Sequence, residues 1–132
     1  MIVLDTHTLL WWVEGEIKKL GSRARDRIAS EREAGEIIVS SITAWEIALL
    51  VAKRRVGLAM ELDVWLAKVA RIDRLRFAPV DNAVAVAAVN LPGPIHRDPA
   101  DRIIMATARH YNAPLATNDR QLRAYRHVTT IW

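Results

Sequence analysis

Short apolar runs separated by helix-length stretches constrain this chain more than any other feature in it. Ile2 to Leu4 is bounded by Asp5-Thr6, after which Leu9, Leu10, Trp12 and Val13 recur at helical spacing, so a buried strand feeds a helix. Gly21 or Ser22 opens a charged helix to about Ala34, Ile37 to Val39 forms a second strand, and Ser41 or Thr43 caps a helix from Ala44 to about Lys53. Glu61 to about Arg71 is helical, Phe77 to Val80 is a short strand, and Asp81 caps Ala83 to Val89. Leu91-Pro92-Gly93-Pro94 is the strongest loop signal. Beyond it Asp98-Pro99 opens a helix to about Tyr111, Leu115-Ala116 is a fourth strand, Arg120 to Tyr125 a helical turn, and Val128 to Ile131 a last strand. Strands alternating with helices imply βαβ units with right-handed crossovers. The expected fold class is therefore α/β, a three-layer α/β/α arrangement with a mostly parallel central sheet. With 132 residues, 52% of them apolar, the chain can bury a core as a single domain over residues 1–132.

Five acids stand at the edges of these segments. Asp5 follows the first strand, Glu46 the second and Asp119 the fourth, so all three lie beyond the carboxyl ends of parallel strands, where open α/β sheets bind ligands. Glu46 shares a helical stripe with Ile42, Leu49 and Leu50, and Asp101 shares one with Ile104, Met105 and Ala108. Carboxylates brought together lose hydration and repel, so they need a cationic partner, and no basic residue lies on an apolar stripe to meet Glu46. A divalent metal suits them. Each acid also has a simpler reading: Asp5 and Asp119 as helix N-caps, Glu46 in a buried ion pair, and Asp98-Pro99-Ala100-Asp101 as a capping sequence. The cap is favoured for Asp98, close enough to assist a metal site through water, whereas Asp101 points to the core end and reads better as a ligand.

The chain contains no cysteine, which excludes disulfides, thiolate metal sites and cysteine nucleophiles. His7, His96, His110 and His127 lack metal-ligand spacing, and neither a Ser/His/Asp arrangement nor a glycine-rich phosphate loop is present. The beginning of the chain shows no basic leader and no apolar run approaches a membrane span, so a cytoplasmic protein is expected. Net charge is +4 despite the five gathered acids, leaving an arginine-rich remainder that favours a polyanion such as nucleic acid, although a merely solvated surface gives the same balance. Trp11 and Trp12 are consecutive on one helix and cannot both face inward, which leaves one for a partner surface. Thr117 and Asn118, just before Asp119, suit either positioning of water or phosphate or ordinary turn chemistry. Arg102, Arg120 and Arg123 are candidates for phosphate contact.

Taken in order, the segments IVLDTHTLLWW, SSITAWEIALL, HRDPADRIIMATA and LATNDRQL resemble a PIN domain, specifically the VapC-type toxin ribonucleases of bacterial toxin–antitoxin modules. The resemblance covers essentially the whole chain and rests on Asp5-Thr6, Glu46, Asp101 and Thr117-Asn118-Asp119 occurring in the family's order. It implies that Asp5, Glu46, Asp101 and Asp119 bind metal, with Asp98 an additional nearby acid. It also implies Mg²⁺ or Mn²⁺ as cofactor, RNA as substrate, a homodimer, and neutralisation by a cognate antitoxin. Mg²⁺ takes oxygen ligands and retains several waters, so four or five acids suit one or two ions completed by water and phosphate. Two other classes compete: a catalytically inactive PIN-like module that binds RNA or protein, and a phosphotransfer enzyme using Asp5 as nucleophile. Asp5-Thr6-His7 lacks the second acid that haloacid-dehalogenase-type phosphatases carry two residues on, and no obvious lysine completes a receiver-type site.

Overall fold

The computed structural model describes residues 1–94 and 97–132, so His96 lies outside the described residues. Five strands form one sheet: β1 Ile2–Leu4, β2 Ile37–Ser40, β3 Leu75–Ala78, β4 Leu115–Ala116 and β5 Thr130–Ile131. The helices are α1 Thr6–Val13, α2 Ser22–Ala34, α3 Ile42–Ala52, α4 Leu62–Ala70, α5 Asn82–Val89, α6 Pro99–His110 and α7 Arg120–Ala124. A 3-10 turn at Ile17–Lys19, absent from the expected elements, joins α1 to α2. The strand order is β3-β2-β1-β4-β5 and every pairing is parallel, which sharpens the mostly parallel sheet expected.

Alternation along the strands builds the layers. Val3 and Ile38 pack on one face against Val84, Ile104, Met105 and Leu122 from α5, α6 and α7. Ile2, Leu4, Ile37 and Val39 pack on the other against Leu9, Ile28, Ile47 and Trp65 from α1, α2, α3 and α4. Successive side chains leave opposite faces of a strand, so a run that is apolar throughout must be covered twice. Full burial of each such aliphatic contributes roughly 1.5–3 kcal/mol, which makes these three- and four-residue strands the centre of the fold.

Three boundaries differ from expectation for identifiable reasons. β3 runs from Leu75 to Ala78 rather than Phe77 to Val80, because Pro79 has no N–H to give a sheet ladder and so ends the strand. β5 keeps only Thr130–Ile131; the Val128 N–H turns back to the Tyr125 carbonyl at 3.5 Å. α3 begins at Ile42 after Ser41, whose side chain makes no capping bond, while the Ser40 hydroxyl accepts the Ile42 N–H at 3.3 Å.

One buried charge ties α2 to the edge of β1. Glu31, 7% exposed, accepts from the Met1 ammonium at 3.0 Å, Arg27 Nε at 2.8 Å and the Glu36 N–H at 3.0 Å. Burial alone would raise its pKa, but the Arg27 bond, the ammonium and the Glu36 amide together outweigh it and hold the carboxyl at about 2. A folded value below the unfolded one means stability that is complete above about pH 4.5 and is lost as pH falls toward 2. Glu31→Gln should therefore lower stability at pH 7 by roughly 2–3 kcal/mol and flatten the acid limb of a urea-denaturation series. An unchanged acid limb would remove Glu31 from this role.

The connectivity also fixes where a ligand belongs. From β1 the chain winds outward to β2 and β3, then returns to place β4 on the other side of β1. The crevice between the carboxyl ends of β1 and β4 is the point where winding reverses, the usual ligand position in open parallel sheets.

Candidate active site

Asp5 and the Thr117-Asn118-Asp119 turn flank that crevice. Asp5 caps α1, its Oδ1 accepting the Thr6 N–H at 2.8 Å, while its Oδ2 accepts the Thr117 hydroxyl at 2.7 Å from across β4. Thr117 is fully buried, and the same hydroxyl accepts the Asp119 N–H at 3.1 Å. Asp119 caps α7 through bonds from the Gln121 and Leu122 amides at 2.8 and 3.1 Å. Asp98 caps α6, accepting the Asp101 N–H at 3.1 Å. Cap and ligand are thus compatible roles: an ionised carboxylate has about four lone-pair sites, and an amide bond fixes its direction without exhausting them.

Glu46 is half-buried on α3, beside a buried face centred on Thr43 and Ile47 rather than on the Ile42, Leu49 and Leu50 stripe expected. Its partner is a hydroxyl. Glu46 Oε1 accepts the Thr6 hydroxyl at 2.6 Å, and Thr6 Oγ1 lies 3.1 Å from Thr43 Oγ1. Since Thr6 spends its one proton on Glu46, Thr43 is the donor to Thr6. This buried Thr43–Thr6–Glu46 chain escaped sequence reasoning for Thr43, because a threonine four residues after an apolar strand reads as a cap. Thr6, an auxiliary candidate beside Asp5, holds Glu46 directly, and Thr117, which the sequence offered for positioning water or phosphate or for a turn, holds Asp5.

Asp101 projects from the α6 face that buries Ile104, Met105 and Ala108, as its stripe implies. Burial first, then the charges of Asp5, Asp98, Glu46 and Asp119, push its carboxyl up to about 8. That all four other acids contribute identifies one electrostatic cluster drawn from α1, α3, α6 and the segment after β4. Burial likewise raises Glu46 and Asp5; Asp5 and Asp98 add to the effect at Glu46, and Asp119 adds to it at Asp5. Bonds from Thr6 and Thr117 oppose these shifts without cancelling them.

The cluster borders a cleft of about 300 Å³ lined by Asp5, His7, Thr8, Trp11, Asn118 and Asp119. Asn118 is exposed in that wall. Arg102 takes another position: its Nε and Nη2 donate to the Ala88 and Val89 carbonyls, each at 3.0 Å, closing the end of α5 instead of reaching toward a phosphate. Trp11 and Trp12 are both half-buried, the first edge-on to Trp132 and the second beneath Arg32. The prominent exposed tryptophan is Trp45 on α3, at 56%.

Among the described residues, no three acid or imidazole groups form a preassembled metal-binding set. The donor chemistry nevertheless fits a hard, hydrated cation. All the acids offer oxygen, burial and then their mutual repulsion raise Asp101, and Mg²⁺ binds through only one or two carboxylates while keeping several waters.

The PIN domain family model matches residues 2–128. Over 133 aligned residues the chain is 36% identical to Ribonuclease VapC22 of Mycobacterium tuberculosis, covering 99% of this chain and 98% of that protein. Among solved structures it resembles VapBC2 from Rickettsia felis bound to a promoter DNA fragment, with a TM-score of 0.68, 16% identity and coverage of 99% of this chain and 98% of that one. It also resembles a toxin–antitoxin complex from Klebsiella pneumoniae, with a TM-score of 0.63, 21% identity and coverage of 98% and 97% respectively. At those identities the structures speak for the fold.

Proposed function

The chain belongs to the PIN domain family, and on that premise we propose that it is a metal-dependent endoribonuclease, the toxin of a toxin–antitoxin pair. The observation that carries the reading is Asp101, raised to about 8 by burial and the charges of four other acids, all gathered at the strand-order reversal. The relationship to Ribonuclease VapC22 supplies the substrate class.

Asp5, Glu46, Asp101 and Asp119 would hold Mg²⁺ or Mn²⁺, with Asp98 assisting from the α6 cap. A bound divalent ion supplies charge neutralisation at the phosphate and acidifies the attacking water. The chain's own work is orientation. Thr117 and the Thr6 amide fix both oxygens of Asp5, Thr6 aims Glu46, and the α7 amides hold Asp119. Thr43, by giving its proton to Thr6, directs the Thr6 proton to Glu46. Asn118, exposed in the cleft beside Asp5 and Asp119, would meet a phosphate or its water. No side-chain nucleophile is required.

The protein partner is a cognate antitoxin, supported by the toxin–antitoxin complexes among the structural relatives and by exposed Trp45 on α3 and Val86 and Val89 on α5. A homodimer in the cytoplasm completes the reading. Among the described residues, no helix is long and apolar enough to cross a membrane.

The testing experiment measures cleavage of structured and unstructured RNAs by purified protein in EDTA and after Mg²⁺ or Mn²⁺ is restored. Cleavage should vanish in EDTA and return with the ion. Persistence at an unchanged rate in EDTA refutes the metal-dependent reading; no cleavage of any RNA with either ion favours the inactive module.

A further inference from the structure

A second cavity, about 760 Å³, lies between the 92–94 loop and α7 and has no part in the acid cluster. Its lining includes Arg97, Gln121, Tyr125, Arg126 and His127, and among the described residues that line it there is no carboxylate. Three of those five residues carry or can carry positive charge, whereas Asp5 and Asp119 line the neighbouring cleft.

A short stretch of chain links the two cavities. Gln121 lines the larger one, and its N–H donates to Asp119 Oδ1 at 2.8 Å; Arg97 immediately precedes Asp98 in the chain. Two residues of chain, at most about 7 Å, separate Asp119 from Gln121, which is on the order of one nucleotide step. The floor is apolar and firmly held. Tyr125 is 8% exposed, its hydroxyl donates to the Pro92 carbonyl at 2.6 Å, and its ring stands 5.4 Å from that of His127. Gly93 keeps the approach narrow: a Cβ there would come within 3.3 Å of the His127 ring, and its φ of +71° favours glycine.

We propose that this cavity is a nucleotide subsite, which takes the residue of a single-stranded RNA adjoining the cleaved bond. The base lies against Tyr125 and His127, and Arg97 and Arg126 meet the phosphate on its far side. The cavity volume is in the range of small-ligand sites, and an apolar floor with cations at its rim matches the two faces of a nucleotide. The inference rests on the nuclease reading and adds what it lacks, a means of drawing a polyanion up to a cluster of negative charge.

Arg97→Gln with Arg126→Gln is the test, set against Arg25→Gln with Arg71→Gln, which makes the same charge change at exposed positions on α2 and after α4. Cleavage of a short unstructured oligoribonucleotide is followed with Mg²⁺, and Kd for a fluorescent copy is measured in the Asp101→Asn background so that binding is read without cleavage. The subsite pair should raise KM and Kd at least tenfold and change kcat less than threefold. Loss of that phosphate contact should also lower the slope of log Kd against log salt by about 0.7. The control pair should change each value less than twofold, and Arg126→Lys should retain most of the affinity.

Equal effects from the two pairs would reduce the result to general surface charge and overturn the subsite. So would unchanged RNA binding in the Arg97/Arg126 pair, including a case in which only association with a protein partner weakens. Absence of RNA cleavage by the unmodified protein would instead count against the nuclease reading, while the Kd comparison still decides whether the cavity holds RNA.

Discussion

Asp101→Asn and Asp5→Asn should each lower RNA cleavage by about two orders of magnitude or more while the protein stays folded. At neutral pH without metal, Asp101 is held largely protonated by burial and four carboxylates, so Asn resembles the species already present. Its metal-free melting temperature should be unchanged or higher. Asp98→Ala provides the contrast: it removes the cap on the Asp101 N–H and should cost about 0.5–2 kcal/mol, with a much smaller loss of activity per folded molecule. Thermal melts in EDTA and cleavage rates with Mg²⁺ distinguish the two patterns. Near-normal cleavage by folded Asp101→Asn would sink its assignment as a ligand.

The same carboxyl predicts a pH dependence opposite to that of Glu31. Its folded pKa, about 8, lies above the unfolded 3.8, so the native state binds more protons throughout that interval. Metal-free stability should therefore fall as pH rises from about 4 to 8. With Asp101 as a ligand, as proposed, Mg²⁺ would compete with the proton, so its apparent affinity should climb up to tenfold per pH unit below 8 and level off above it, with release of up to one proton from this group. Calorimetric titrations in buffers of different ionisation enthalpy measure that release. Asp101→Asn should abolish most of the slope; an identical slope in the variant would assign the proton elsewhere.

Much of this site was legible before any coordinates because its acids adjoin short, wholly apolar strands. A triplet such as Ile2 to Leu4 can only be central, and whatever follows it stands at the sheet's carboxyl edge. The stripe beneath Asp101 was equally direct. What remained hidden depends on contacts across distant segments. Thr43 looks like a cap until α1 brings Thr6 against it, and Arg102 looks like a phosphate ligand until the end of α5 offers two carbonyls. Pro79 carried enough information to place the end of β3, but the apolar run around it suggested a later strand. The tryptophans misled for a related reason: Trp11 and Trp12 share their exposure, whereas Trp45 sits in an apolar helix whose surface gives no polar warning.

The Thr117–Asp5 hydrogen bond joins residues 112 positions apart, and β4, which carries Thr117 to that place, pairs directly with β1. During synthesis the first strand therefore leaves the ribosome long before the neighbour that completes the crevice. A partly made chain can fold local helices, but it lacks Asp119 and the hydroxyl that sets Asp5. With Asp5 and Asp119 in the roles proposed for them, RNA cleavage would begin only after nearly the whole domain has been made and β4 has paired with β1.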